Sequence, residues 1–321
     1  MWLGRRLRST RGARYQLHAE LACGGMANVW LACLADEAEQ QFAIKVIREE
    51  LAHDPRIVEL FAHEALIATR LKHRGIVEHR DFGVDAGLWF LVTEYLRGAT
   101  LRDVHERLLD RDQGTPLWFV VGVLARVCAT LDHMHGLVDD GGHGLLHNDL
   151  SPENIMITTS GAVKLLDLGS VAPSGVPGSA RPHVGKYTYL PPELVLGREL
   201  DRRSDVYSLG VMLYELAVGE KPFRGDQAAV VAAIAHGPPP DPCKRNPEVP
   251  PAVARVIRKA MARDPGDRYP SAGLLARELR MLVHHYLAAD DEELGDYVSA
   301  LFPERTPRPS APSIYQADAQ A

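Results

Sequence analysis

Up to about Leu96 the chain alternates apolar and polar residues in short runs; beyond it apolar residues recur at intervals of three and four. Alternation marks half-buried strands, and the wider period marks amphipathic helices. The first part therefore reads as strands from Tyr15 to about Leu96, with one helix around Pro55–Leu71 and a turn at Asp85-Ala86-Gly87 between Ile76–Val84 and Leu88–Glu94. Helices are predicted at Thr100–Leu109, Pro116–Gly136, Ser204–Val218, Gln227–His236, Pro251–Ala262 and Ser271–Ala288. Strands followed by helices make the fold class α+β. The best apolar run, Leu117 to Leu131, is interrupted by Arg126 and reads as a buried core helix, not a membrane span. Gly237 to Pro242 is a breaker between helices. Near the end, Asp290 and Glu293 stand three apart as in a capping box, and Leu294, Tyr297, Val298 and Leu301 share one helical face. Residues 289–302 are thus expected to form a short amphipathic helix docked on the helical part. After Pro303 the chain is rich in Pro, Ala and Ser and expected to be disordered.

The densest chemistry lies between the predicted helices. In His147-Asn148-Asp149-Leu150-Ser151-Pro152-Glu153-Asn154, an Asp and an Asn stand five residues apart, and Asp167-Leu168-Gly169 begins thirteen residues after Asn154. Ile155–Thr158 and Val163–Leu166 read as short strands around Thr159-Ser160-Gly161, and this hairpin folds Asp167 back beside Asn154. A carboxylate and a carboxamide oxygen side by side suit Mg2+, a hard cation that takes oxygen ligands and keeps part of its water shell. Asp149 would face the place of an attacking hydroxyl. A lone Asp or Asn in a turn more often caps backbone groups. Three at these offsets point to phosphoryl transfer.

This stretch resembles the catalytic and metal loops of the protein kinase family, with patterns H-R-D-L-x-x-x-N and D-F-G. Phe42-Ala43-Ile44-Lys45 resembles the V-A-I-K strand, and Glu64 stands as the salt-bridge partner of Lys45. Pro191-Pro192-Glu193 occupies the place of A-P-E, Asp205 opens a helix whose Asp bonds the catalytic loop, and Arg268 resembles the Arg that pairs with the A-P-E glutamate. Leu21 to Val29 matches the glycine-rich loop at Gly24 and Val29 only, with Ala22 and Ala27 replacing the first and third glycines; a slightly stiffer lid is expected. The resemblance runs from about Tyr15 to about Tyr286. It implies a bilobal fold, with a small β-rich N-lobe and hinge over residues 15–96 and a larger, mainly helical C-lobe over 97–288.

The resemblance is to bacterial Ser/Thr kinases of eukaryotic type, and it implies transfer of the γ-phosphate of ATP, with Mg2+, to Ser or Thr of protein substrates. It assigns Asp149, Lys45 and Glu64 to catalysis and Asn154 and Asp167 to the metal. Ala22, Gly24, Gly25, Val29, Ala43, Lys45, Thr93, Glu94, Leu96 and Met156 would line the nucleotide site, with Thr93 as gatekeeper and the Thr93–Leu96 backbone reading the adenine edge. Asn148 replaces the Arg that normally pairs with an activation-loop phosphate, which makes a non-RD kinase. Ser151 replaces a catalytic-loop Lys, and Lys186 stands where a Thr is usual. Lys186 is expected to supply the missing cation from the other side. The alternative is an ATP-binding pseudokinase scaffold, against which the complete set of Lys45, Glu64, Asp149, Asn154 and Asp167 argues. Small-molecule kinases share the Asp-Asn-Asp core but lack the Asp205 helix and the Glu–Arg pairing.

Composition narrows this reading. With 321 residues, 46% hydrophobic and 24% charged, the chain can bury a full core in two lobes. A net charge of −6 argues against general nucleic-acid binding. Cys23, Cys33, Cys128 and Cys243 are scattered without metal spacing, which fits isolated thiols in a reducing cytoplasm. His133, His135, His284 and His285 lack the partner set of a metal site. Arg5, Arg6, Arg8, Arg11 and Arg14 give residues 1–14 the look of a solvated, disordered basic arm without a secretory signal.

Overall fold

Six antiparallel strands carry the alternating first part of the chain, and the computed structural model describes residues 2–139, 141–176, 187–283 and 290–305. The strands are β1 (Arg6–Arg8), β2 (Arg14–Cys23), β3 (Ala27–Leu34), β4 (Glu37–Ile47), β5 (His79–Asp85) and β6 (Leu88–Glu94), in the order β1-β2-β3-β4-β6-β5. Helix α1 (Pro55–Arg70) lies between β4 and β5, with Asp54 capping it through the Arg56 amide. Ala86 and Gly87 both take positive φ (49° and 80°) between β5 and β6, as a two-residue hairpin loop demands.

The basic arm is not a free arm. Leu7 of β1 is fully buried, and Arg6 to Arg8 pair with Arg14 to Gln16. Trp2 stacks on Trp30 with ring centroids 5.9 Å apart, while Arg5 lies 4.5 Å over Trp2 and bonds Glu49 at 3.0 Å. The amide of Thr10 donates to the Phe82 carbonyl at 3.2 Å, so the segment also touches β5, the far edge of the same sheet. Charge drew the expectation of disorder. The overlooked signal was the alternation Arg6-Leu7-Arg8, which points one large apolar side chain inward.

The second part contains β7 (Gly98–Thr100), α2 (Leu101–Leu109), α3 (Leu117–Gly136), β8 (Leu145–Leu146), β9 (Ile155–Thr158), β10 (Val163–Leu165), β11 (Ala172–Pro173), α4 (Pro192–Val195), α5 (Arg202–Val218), α6 (Gln227–His236), α7 (Pro242–Arg245), α8 (Pro251–Ala260), α9 (Ala272–Val283) and α10 (Asp291–Leu301). Helix α3 is long and apolar enough to cross a membrane, yet its Val120, Val123, Val127 and Leu131 lie fully inside the core. Ile76 and Val77 do not extend β5. Ile76 instead bridges Leu165, and the Val77 amide donates to the Leu165 carbonyl, joining the end of α1 to β10.

Helix α10 docks as its pattern predicts. Leu294, Val298 and Leu301 are buried, Tyr297 packs edge-on to Trp118, and Asp290 and Glu293 form the reciprocal capping box. Gly295 lets the helix sit on the β9–β10 turn, because a Cβ there would lie 2.6 Å from the Thr159 carbonyl oxygen. The tail expected to be disordered, residues 303–321, is ordered at its start: Pro303–Arg305 form one 3-10 turn, with Arg107 donating to Glu304 at 2.8 Å and Arg305 to Asp103 at 2.6 Å. Residues 306–321 lie outside the described residues.

Candidate active site

The floor of the site is the loop between β8 and β9. Asp205, near the start of α5, is buried, and its carboxylate accepts from the amides of His147 at 2.9 Å and Asn148 at 3.0 Å. His135 Nε2 bonds the same carboxylate at 2.7 Å. Burial pushes the Asp205 carboxyl up, but His135 and these amides bring it below its ordinary value. Asn148 takes φ 63°, a left-handed conformation that Asn tolerates better than most side chains. Its amide donates to the Ser170 carbonyl at 3.2 Å.

Asn154 turns its amide NH2 toward Asp149, donating to the backbone oxygen at 2.7 Å and to Oδ2 at 2.9 Å. The carboxamide oxygen therefore faces away from Asp149. The Leu166 amide bonds the Asn154 carbonyl at 3.0 Å, and this sets Asp167, the next residue, alongside. Asp167 Oδ1 accepts from the Gly169 amide at 2.9 Å, and Oδ2 lies 3.2 Å from Lys45 Nζ. Lys45 Nζ lies 2.8 Å from Glu64 Oε2 on α1. Burial opposes the charge on Lys45, but Asp167 and Glu64 hold its pKa above that of an ordinary lysine. Burial likewise opposes the charge on Asp167, yet Lys45 and the Gly169 amide hold its carboxyl well below the usual carboxylate range.

Strand register gathers the wall of the site. Ala22 lies opposite Val29, Val29 opposite Lys45, and Ala43 opposite Thr93. Directly opposed residues share a face, and so do Ala43 and Lys45, two apart on β4. Ala22, Val29, Ala43, Lys45 and Thr93 thus line one side of the sheet. Gly24 closes the β2–β3 turn by bonding the Ala27 carbonyl at 3.0 Å, where a Cβ would stand 2.8 Å from that oxygen. Gly25 stands in open space beside it. Neither Ala22 nor Ala27 takes positive φ, so the replacement of two glycines strains nothing. Thr93 Oγ1 is turned to the Ala43 carbonyl at 3.4 Å. Met156, half-buried on β9, pairs with Lys164 of β10. Glu94 accepts from the Glu78 amide at 2.8 Å and from Lys164, so its carboxylate ties β6 to β10. Leu96 follows, just beyond the end of β6.

Asn154 and Asp167 offer oxygen donors suited to Mg2+. Among the described residues no group of three His, Cys, Asp or Glu could hold a metal alone. Two protein oxygens suit a cation that arrives with phosphate oxygens and water completing its shell.

The protein kinase domain model matches residues 15–285. The chain belongs to the protein kinase family. Curated relatives include a tyrosine-protein kinase, MasK, of Myxococcus xanthus, 34% identical over 94% of this chain and 48% of that protein. Another is the serine/threonine-protein kinase PknB of Mycolicibacterium smegmatis, 36% identical over 86% of this chain and 44% of that protein. The chain therefore spans about half the length of these relatives. The crystal structure of the Mycobacterium tuberculosis PknI kinase domain aligns with a TM-score of 0.63 at 25% identity, covering 88% of this chain and 98% of that one.

The kinase signature also closes at its far end. Arg268 Nη1 and Nη2 each lie 2.7 Å from a carboxylate oxygen of Glu193, and both side chains are buried. Lys186 lies outside the described residues. Ser151 is fully buried, with its hydroxyl toward Glu153, so the usual lysine position faces inward here. Sequence reasoning missed Lys164, His135 and the side-chain role of Glu94. The signal for Lys164 was a lone charge between Val163 and Leu165 on a short strand.

Proposed function

We propose that this kinase domain transfers the γ-phosphoryl group of ATP to Ser or Thr hydroxyls of proteins. The carrying observation is that Lys45, Glu64 and Asp167 are already in contact while Asn154 is held against Asp149. Lys45, fixed by Glu64, would orient the nucleotide phosphates. Asp167 and the Asn154 oxygen would hold Mg2+, which when bound neutralises phosphate charge. Asp149, placed by Asn154, would orient the acceptor hydroxyl and take its proton late. Positioning and charge neutralisation supply most of the acceleration.

We further assign the domain to the non-RD type. The segment after Asp167 is held at its base by Asn148 on the Ser170 carbonyl and by His63 Nε2 at 2.6 Å from the Val171 carbonyl. Neither tie uses phosphate. Phosphatase treatment should leave most activity intact, and a loss above about tenfold would contradict this assignment.

The deciding experiment measures nucleotide binding and phosphate transfer together. Asp149→Ala should abolish transfer to proteins and keep Mg-ATP binding near normal, whereas Asp167→Ala should lose both. Binding without transfer in the unsubstituted chain would establish the pseudokinase reading instead. Phosphoamino-acid analysis separates Ser/Thr from Tyr as the acceptor, which one relative's name raises. Lys186→Ala should lower kcat about 100-fold if its ammonium helps hold the transferred charge, with little change in ATP affinity.

A further inference from the structure

The turn that follows Asp167 is gripped from two sides. Leu168 and Val171 are 0% and 1% exposed, and the Val171 amide donates to the Leu168 carbonyl at 3.1 Å. Backbone carbonyls buried this deeply need donors. Asn148, on the loop that carries Asp149, donates to the Ser170 carbonyl at 3.2 Å. His63 Nε2, on α1, lies 2.6 Å from the Val171 carbonyl. A carbonyl oxygen only accepts, so this nitrogen carries the proton. Two adjacent carbonyls thus tie α1 and the catalytic loop to one turn.

The same turn touches the ion pair directly. A Cβ on Gly169 would lie 3.2 Å from Asp167 Oδ1 and 3.5 Å from Glu64 Oε2, the oxygen that meets Lys45 at 2.8 Å. The ring of Phe61, also on α1, has its centroid 5.6 Å from Lys45 Nζ. His63 and Glu64 are consecutive on one unbroken helix, so a shift of α1 moves both. Glu64 has a second buried neighbour within reach. His79 Nε2, on β5, stands 3.9 Å from Glu64 Oε1 and has no hydrogen-bond partner among the described residues. A movement of about 1 Å would bring that pair to hydrogen-bond distance. Keeping Glu64 on Lys45 therefore needs α1 held in place. We infer that His63 is a positioning residue for phosphate transfer: its Nε2–H on the Val171 carbonyl couples α1 to the turn that Asn148 fixes to the catalytic loop, and so holds Glu64 on Lys45. Both ties end on backbone carbonyls and need no phosphate. This inference rests on the phosphotransfer reading and adds to it the residue that sets the ion pair.

The test changes the donor in the full chain and reads nucleotide binding apart from transfer. His63→Met keeps the bulk and removes the N–H, which leaves a buried carbonyl without its donor. Mg-ATP affinity by calorimetry, and kcat/KM for ATP, should each fall by about tenfold, while KM for a Ser peptide holds. His63→Gln, whose amide NH2 reaches the place of Nε2, should restore most of the loss. His63→Asn, whose NH2 falls at the place of Nδ1, should not. Asn148→Gly keeps the positive φ and drops the other tie. Its effect and that of His63→Met should combine to less than their sum, because either one frees the same turn. A folded His63→Met chain that binds Mg-ATP as tightly as the unsubstituted chain overturns the inference, and so does a His63→Gln chain no better than His63→Asn. Should His63→Met fail to fold, the comparison of Gln with Asn decides alone. Hydrogen exchange over Phe61–Ala68 needs neither ATP nor transfer. It should quicken about tenfold in His63→Asn relative to His63→Gln, and equal exchange sinks the role of His63. A chain that transfers nothing, with exchange as expected, sinks the phosphotransfer reading instead.

Discussion

Lys45 stands between two carboxylates, and each contact has its own consequence. Glu64 is buried on α1 and reaches Lys45 at 2.8 Å, so Glu64→Ala would leave the ammonium held by Asp167 alone. Lys45 then collapses toward Asp167, the residue proposed above to hold the metal. Phosphate transfer should fall about 100-fold while the melting temperature changes little, as steady-state kinetics and calorimetry would show. The pair also carries a pH signature. The folded pKa of Asp167 is depressed, so its contribution to stability is whole above about pH 4 and is lost as pH falls through the folded value. The folded pKa of Lys45 is raised, so its contribution is whole below about pH 10 and is lost as pH rises through its folded value. Urea denaturation should therefore find a stability gap between the unsubstituted chain and Asp167→Asn that is constant from about pH 5 to about pH 9. The gap should shrink as pH falls below about 4, and a gap that widened there would reverse the sign of the argument.

At the scale of elements, two segments at the ends of the described chain pack on the strands that carry the candidate site. Strand β1 buries Leu7 and brings Trp2 onto Trp30. Deleting residues 1–9 should lower the melting temperature by several degrees, since losing one buried leucine costs about 2–5 kcal/mol. An unchanged melt would return these residues to the status of a free arm. Helix α10 packs on the β9–β10 hairpin, whose strand β9 carries Met156, a residue proposed to line the nucleotide site. Leu294→Ala should cost about 2–5 kcal/mol by urea denaturation. Truncation after Ala288 should destabilise further and weaken ATP binding, because the Gly295–Thr159 contact that steadies the hairpin is lost. Full stability after truncation would mean that the helix does no structural service.

In the whole molecule the apolar core comes in two bodies. Leu7, Leu17, Trp30, Ile44 and Phe61 belong to one; Ile67, Leu71 and Ile76 belong with α3 and α5 to the other. Helix α1 thus plants Phe61 in the first core and Ile67 in the second. Two unfolding transitions are expected by calorimetry, with Leu17→Ala lowering only one of them and Leu209→Ala the other. A single transition moved by both changes would mark one cooperative unit. Periodicity along the chain was enough to read α1, α6, β6, β9 and the capped α10, because each depends on neighbours within a few residues. The Asp-Asn-Asp spacing likewise marked three residues that the structure brings together as a candidate site, because the hairpin between Asn154 and Asp167 is local. Partners far apart along the chain were another matter. Lys45 and Asp167 are 122 residues apart, and the contact of Arg102 with Glu215 spans 113. No local pattern encodes such a distance. Only the packing of separate elements decided that Asn154 turns its NH2 to Asp149, that Glu94 is occupied by Lys164, and that an arginine-rich start becomes a strand. Sequence determined which groups the chain carries and which elements bear them; tertiary structure decided which groups meet, because burial and register bring together charges that the chain itself keeps apart.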